Sequence, residues 1–337
     1  MAYPKIYIDA MLLNWGDRLF HEGLRHVRAP QLSNARLADE ASRMRAQLAR
    51  TLKHAPEVMV RIVNPASGSQ GMGAVRRHFR YISRHGAVAL EDQDGRHVLG
   101  LDALRDLTDA WKWGGWGIPE KSAHREVFNL VLSMPAGTDR EAVFGAARDF
   151  ASQEFGDGRA YVFAAHDDEP HPHVHLSVQA RGLDGRRLQL HRYDPQRWRE
   201  RFAEQLRTRG VEANATSRFT RGQTQRVPKP TVAHMLARGE TPRYWRAVAD
   251  DKERLARWHA QGGVFAAWRE LARTMALSPS LDDRKTALEI VDFVEGMPVQ
   301  QDRPKTERSP MDASKAFERP VSKDGSRPEE PDPDVER

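Results

Sequence analysis

Four of the chain's 14 histidines fall within ten residues, in His166-Asp167-Asp168-Glu169-Pro170-His171-Pro172-His173-Val174-His175. Alternate side chains of a strand share a face, so His173 and His175 project together with Ser177 and Gln179. Val174, Leu176 and Val178 take the other, apolar face and fit a core. His166 ends a preceding strand, and a hairpin folds it back over the pair. Three neutral imidazoles converging from two strands suit a divalent metal ion, so His166, His173 and His175 are the expected ligands. His171 shares their parity, but the prolines distort the turn there, and it is held in reserve. Asp168 can serve as the acid that orients a histidine or accepts a proton. It can equally be a solvated turn aspartate.

A second group surrounds Tyr81. Met72 to His85 reads as a helix packed through Val75, Phe79 and Ile82 and stopped by Gly86. Tyr81 lies off that stripe. Its neighbours three and four residues away are Arg77, His78, Arg84 and His85, all basic. Cations around a phenol attract phosphate and stabilise an oxyanion, which suits a nucleophile directed at phosphorus. An ordinary amphipathic tyrosine has the same neighbours. Further on, Arg218, Arg221 and Arg226 form a cationic run that could follow a phosphate backbone or be a solvated basic loop. Trp111, Trp113 and Trp116 could offer stacking surfaces, though such spacing is more typical of core.

The elements that must position these groups can be read in outline. The length of 337 residues implies two units or one large one. The chain has no cysteine, which removes disulfide scaffolds, thiolate nucleophiles and Cys-type zinc sites. No apolar run reaches the ~20 residues of a membrane span, and the N-terminus lacks a signal-peptide pattern. A soluble cytoplasmic protein is expected, with no membrane insertion. The net charge of +6 is concentrated in the body, because residues 301–337 carry 10 acids and 8 bases. A basic body favours a polyanionic partner.

Residues 1–56 read as a helical N-terminal extension, in which 34–54 is a basic amphipathic helix that packs on the body or lies near DNA. Val58 to Val63 is a strand, followed by the turn Asn64 to Gly68 and the helix of Tyr81. The stretch 87–121 is loop-rich with a helix near 101–113. A strand at 126–134 follows, then a helix opened by a Thr138/Glu141 capping box and ended at Gly156. Strands at 161–166 and 173–179 come next, then a helix from Asp194 with Trp198, Phe202 and Leu206 on one stripe. The order β-α-(loop)-β-α-β-β-α describes a layered α/β domain at 57–228, α+β in type, with a central sheet and helices packed on it. Residues 229–300 read as a helical C-terminal appendage, and 301–337 as a disordered charged tail.

Three blocks in order, Arg80 to Gly86, Val131 to Asp139 and the histidine block, resemble those of DNA relaxases, the mobilization nucleases of conjugative and mobilizable elements. Ala215-Thr216-Ser217-Arg218 with Arg221-Gly222 resembles the branch that contains the agrobacterial T-DNA border endonuclease. The resemblance covers residues 57–228, the relaxase nuclease domain. It implies a palm-like relaxase fold with a mainly antiparallel sheet, and a histidine-hydrophobe-histidine endonuclease with one nucleophilic tyrosine. Residue by residue, Tyr81 matches the nucleophile, His166, His173 and His175 the metal ligands, Asp168 an acid of the histidine motif, and Ser133 a residue that contacts DNA near the nick. Arg77 and Arg84 are then DNA contacts beside the tyrosine. Two departures stand out: about 56 residues precede the first strand, and the short C-terminal part leaves no room for a helicase or primase.

The reaction so implied is transesterification at one phosphodiester of single-stranded DNA at a transfer origin, leaving a 5′-phosphotyrosyl protein that can later reseal the strand. Mg²⁺ or Mn²⁺ would be the metal, and Mn²⁺ accepts three imidazoles more readily. Partners implied are accessory DNA-binding proteins and the coupling protein of a type IV secretion channel. The setting is the bacterial cytoplasm, with transfer alongside the DNA into a recipient. Alternatives are a metal-dependent phosphoesterase that activates water, a non-catalytic origin-binding protein, and a replication initiator.

Overall fold

The computed structural model describes residues 3–20, 33–63, 71–224, 230–242 and 250–303. The turn expected at Asn64 to Gly68, Arg226 and the tail beyond residue 303 lie outside these residues.

The centre is one open antiparallel sheet of β1 (Met59–Val63), β2 (Leu90–Asp92), β3 (His97–Val98), β4 (Val127–Ser133), β5 (Tyr161–His166) and β6 (His173–Gln179). Its order is β1-β4-β6-β5-β2-β3, so β5 and β6 lie in the interior. Helices cover both faces. On one, Leu130, Leu132, Phe163, Val174, Leu176 and Val178 bury against α5 (Arg140–Phe155) and α6 (Asp194–Thr208), with Phe150, Phe155, Trp198 and Phe202 all fully buried. On the other, Val162 and Ala164 pack with Phe79 and Ile82 of α3 (Met72–Ile82) and Trp111 of α4 (Leu101–Trp113). The layered α/β architecture expected from the sequence is the one observed.

Two local expectations need correction. β2 and β3 were not foreseen, because a three-residue and a two-residue strand rich in charge give no alternating pattern. Asp92 Oδ1 accepts from the Asp94 and Arg96 amides at 2.9 Å, closing the turn between them. The cap of α5 is Asp139, which accepts from the Glu141 amide at 3.0 Å, whereas Thr138 donates to the Pro135 carbonyl at 2.8 Å. Both residues can cap a helix, and the turn after Pro135 selects the later one.

Among the described residues the leading segment holds α1 (Lys5–Phe20) and α2 (Asn34–Leu52). The basic helix α2 is a packing helix: Met44 and Leu48 are buried, and Arg45 reaches Asp9 at 2.7 Å and Asp283 at 2.8 Å. Residues 229–300 contain α7 (Pro230–Ala237), α8 (Asp251–Ala260), α9 (Gly262–Ala276) and α10 (Leu281–Glu295). The chain forms two compact units, one of residues 1–221 with 263–296, the other of 222–262 with 297 onward. In the second, Asp302 receives Arg254 and Arg257 of α8 at 3.2 and 3.0 Å. Among the described residues no helix is long and apolar enough to cross a membrane.

Phe202 is fully buried and meets Phe150 ring to ring at 6.3 Å. Phe202→Ala therefore lowers unfolding free energy by about 3–5 kcal/mol. The midpoint and slope of urea unfolding check this; a loss under about 1 kcal/mol would mean that the α5–α6 layer re-collapses.

Candidate active site

The β5–β6 pairing sets the histidines. His166 stands opposite His173 and Ala164 opposite His175 in register, so all three imidazoles emerge on the face covered by α3. Their candidate ligand nitrogens lie within 4.8 Å of one another. His166 and His175 are buried, and His173 is half-buried. Ser133 of β4 pairs with His173 in register, and so stands beside the cluster on the same face.

Two ring nitrogens are already committed. His166 Nε2 is 2.7 Å from the Ile82 carbonyl and must donate to it, so Nδ1 carries the lone pair, to which Arg84 donates at 3.3 Å. His173 Nδ1 donates to the His171 carbonyl at 3.1 Å, leaving Nε2. Metal-binding histidines are commonly held in this way, by a carbonyl on the nitrogen that does not ligate. Burial pushes the His175 imidazole down to about 3, with His166, His173, His78 and Arg84 adding to the effect. Burial also lowers His166, against its bond to Ile82. At neutral pH His166 and His175 are therefore uncharged, and together with His173 they present three nitrogens that could hold a divalent cation.

Tyr81 comes from the last turn of α3, next to the Ile82 that anchors His166. Its ring is exposed at 52% and stands edge-on to His175 at 5.6 Å and to His166 at 6.3 Å. The chain then reverses through Arg84 and His85, both left-handed at φ 49° and 58°, and Gly86 at 87°. Two non-glycine residues in that region cost roughly 1–2 kcal/mol each. The return is held by the His85 amide on the Arg80 carbonyl at 2.8 Å and the Val88 amide on the Ser83 carbonyl at 2.8 Å. It brings the Arg84 guanidinium over the Tyr81 ring at 5.5 Å and to 3.3 Å from His166 Nδ1.

Arg84 also forms an ion pair with Asp168. Burial opposes ionisation of that carboxyl, yet a backbone hydrogen bond and Arg84 hold it below its usual range. Asp168 thus reaches the histidines through Arg84, and its depressed pKa makes it a weak proton acceptor. Arg77 stands on the exposed side of α3, one turn before Tyr81. Arg218 is exposed after α6. Arg221 turns inward to Glu57 at 3.2 Å and to the Thr216 carbonyl at 3.4 Å, so it braces the chain after α6. Arg226 lies outside the described residues.

Two residues of the site had no place among the expected ligands and contacts. His78, three residues before Tyr81, brings its ring to 6.2 Å from Tyr81 and 6.4 Å from His175. Burial pushes it down to about 4. Its i−3 spacing to Tyr81 was the available signal. Arg140 of α5 clamps the β5–β6 turn, pairing with Asp167 at 3.2 Å and donating to the carbonyls of His166 at 3.4 Å and Glu169 at 2.5 Å. No spacing in the sequence announces that contact.

The structure thus sets an exposed tyrosine beside a three-histidine cluster on an antiparallel sheet. Residues 115–211 match the relaxase family model described as MobA/VirD2-like, nuclease domain. That span holds Ser133, His166, Asp168, His173 and His175, and Tyr81 precedes it. The chain is similar to the T-DNA border endonuclease VirD2 of Rhizobium radiobacter, 32% identical over 189 residues, 50% of this chain and 44% of that protein. It is similar to VirD2 of Agrobacterium fabrum, 31% over 188 residues, covering 50% and 42% respectively. It also resembles the 43 kDa relaxation protein of Salmonella typhimurium, 28% over 173 residues, covering 48% and 44%. The chain thus spans under half the length of these relatives. The relaxase resemblance read from the sequence is borne out.

The lowered histidines predict a pH dependence. In the unfolded chain His78 and His175 take protons near 6.5, and in the folded protein only near 4 and 3. Between those values the unfolded state binds more protons, so stability is full above about 6.5 and falls as the pH drops towards 3. With chelator present, urea midpoints at pH 7 and pH 5 should differ less for His175→Gln than for the wild type. Equal differences would mean that His175 titrates normally.

Proposed function

We propose that this chain is a DNA relaxase. It nicks one strand at the transfer origin of a conjugative or mobilizable element, becoming joined to the 5′ phosphate through Tyr81. The observation that carries the reading is the convergence of three imidazoles whose nitrogens lie within 4.8 Å of one another, with the Tyr81 ring 5.6 Å from one of them. The family match supports the nuclease class, and the order of the motifs supports the tyrosine.

In this mechanism the Tyr81 oxygen forms a bond to phosphorus, the bond to the 3′ oxygen breaks, and that oxygen leaves as a 3′-hydroxyl after gaining a proton. One phosphodiester replaces another, so the reverse reaction can reseal the strand. His166, His173 and His175 would hold Mg²⁺ or Mn²⁺, which when bound supplies charge stabilisation for the non-bridging phosphate oxygens. His166 is kept in the ligating tautomer by the Ile82 carbonyl, and His173 by that of His171. Arg84 sits between Tyr81, His166 and Asp168, where it can neutralise a phosphate and fix the geometry of all three. Asp168 completes that charge arrangement. Asp168 or a basic neighbour would receive the phenol proton. Ser133, Arg77 and Arg218 would contact the strand near the nick. The setting is the bacterial cytoplasm, with accessory DNA-binding proteins and a type IV coupling protein as partners, and the charged tail as the segment that engages the latter.

Labelled single-stranded DNA carrying the element's transfer origin, incubated with protein and Mg²⁺ or Mn²⁺, should yield a protein-linked species on a denaturing gel. EDTA and Tyr81→Phe should each abolish it. Metal-dependent cleavage without an adduct, unchanged in Tyr81→Phe, would replace this reading with a water-activating phosphoesterase. In the same assay Arg84→Ala should slow adduct formation by about 10–100-fold, the usual cost of losing a residue that orients a ligand.

A further inference from the structure

The end of α4 and the loop that follows it carry two exposed tryptophans, Trp113 and Trp116, that the site does not use. Trp111, inside the helix, is buried against Phe79 at 4.8 Å and belongs to the core. Trp113 and Trp116 are exposed at 74% and 60%. Large aromatic rings turned out to water together are the informative exception to burial.

Neither indole dangles from a loose segment. The loop closes on itself, with the Gly117 amide donating to the Gly114 carbonyl at 2.9 Å and the Ile118 amide to the Lys112 carbonyl at 3.2 Å, and Ile118 is buried. Trp116 is fixed further by its Nε1, which donates to the Leu183 carbonyl at 3.1 Å. A Cβ on Gly185 would come within 2.8 Å of the Trp116 ring, so glycine there lets the backbone lie directly against the indole. A ring held at its edge while its surface stays open has little entropy left to lose when a flat partner stacks on it.

Each ring also has a cation on it. Lys112 Nζ is 4.5 Å from the centroid of Trp113, and the Arg181 guanidinium 5.5 Å from that of Trp116. Carboxylates are present too: Glu120 lies 3.6 Å from Lys112 and also pairs with Arg76, and Asp184 lies 3.8 Å from Arg186. Each acid is thus already opposite a base. Paired indoles interleaved with cations are what a single-stranded nucleic acid meets on its binding proteins: π-faces for the bases and positive charge for the backbone. A protein partner would exploit the apolar rings but not the cations over them.

The placement completes the argument. α4 covers the same sheet face as α3 and braces Phe79 on the helix of Tyr81. Arg181 follows the far end of β6, six residues beyond His175, or about 20 Å at the rise of a strand. We infer that Trp113 and Trp116 form a stacking platform for unpaired bases of the DNA strand that runs from the candidate nicking site across this face. The inference rests on the relaxase reading, because it takes single-stranded DNA as the ligand. It adds a site for bases well away from the scissile phosphate.

Stacking tolerates any base, so the test needs no knowledge of the origin sequence. Full-length protein is titrated with a fluorescein-labelled single-stranded 40-mer of random sequence, with the matching duplex as a control. Trp113→Ala and Trp116→Ala should each weaken single-strand binding by about five- to a hundredfold. Trp113→Phe and Trp116→Phe should restore most of it. The thermal midpoint should stay near that of the wild type for Trp113→Ala and fall by no more than a few degrees for Trp116→Ala, which loses the bond to the Leu183 carbonyl. Quenching of tryptophan fluorescence by the unlabelled strand should shrink in the double variant. If the wild type binds the strand and the double alanine variant binds it equally well, the platform is refuted, the rings serve something else such as a protein, and the relaxase reading stands. If the wild type binds no single strand at all, both the platform and the relaxase reading fall.

Discussion

The register between β5 and β6 determines which side chains can meet above the sheet. With His166 opposite His173 and Ala164 opposite His175, three imidazoles share one face while Val174, Leu176 and Val178 fill the core below. A slip of one residue would reverse every side chain of β6, driving two histidines into the layer of Phe150, Phe155 and Trp198. The hydrophobic burial of one face therefore enforces the chemistry of the other. The flanking pairs reinforce it: β4 holds β6 along seven residue pairs, from Val127 opposite Gln179 to Ser133 opposite His173. The Met134 amide adds a bond to the Pro172 carbonyl at 3.1 Å, beyond the end of that ladder.

How much of this was legible in the sequence follows from the range of the interactions. β5 and β6 have the bounds their alternation predicts, and α3 buries the stripe of Val75, Phe79 and Ile82 and leaves Tyr81 outside. These are local patterns written at a period of two or 3.6. The histidine cluster was legible because its three members lie within ten residues and a hairpin is the shortest way to fold them together. Arg140 was not, since it clamps the turn from a different helix across 27 residues of chain. The β2–β3 hairpin escaped because its stability comes from pairing Glu91 with Phe163 on β5, not from its own composition. The tryptophans illustrate a subtler limit: Trp111 and Trp113 differ by two positions on one helix, and only the packing of α4 on Phe79 decides which is core and which is surface.

Electrostatics at the cluster runs opposite to its surroundings. The body of the chain is basic, and Arg84 reaches into the site, yet burial lowers His166 and His175 and keeps them uncharged at neutral pH. That combination is self-consistent. A protonated histidine next to Arg84 would pay desolvation and like-charge repulsion together, so neutrality is the cheaper state. The neutral rings are then available as ligands, with Arg84 held by Asp168 and able to leave the His166 lone pair without losing its own counter-charge. Asp168 is thus the counter-charge that holds Arg84 beside His166.

The strained turn after α3 ties the two halves of the site together. Arg84 and His85 adopt left-handed conformations that an uninterrupted helix would avoid, and the hydrogen bonds to Arg80 and Ser83 hold them there. Extending α3 by one more turn would carry Arg84 along the helix and away from Asp168. It would also alter the end of the helix where the Ile82 carbonyl is free to accept from His166. Because that carbonyl lies one residue from Tyr81, the tautomer of His166 and the placement of the tyrosine are set by the same helix terminus. A change that unwinds or extends it cannot disturb one without the other, so the local backbone cost is retained where it couples both parts of the chemistry.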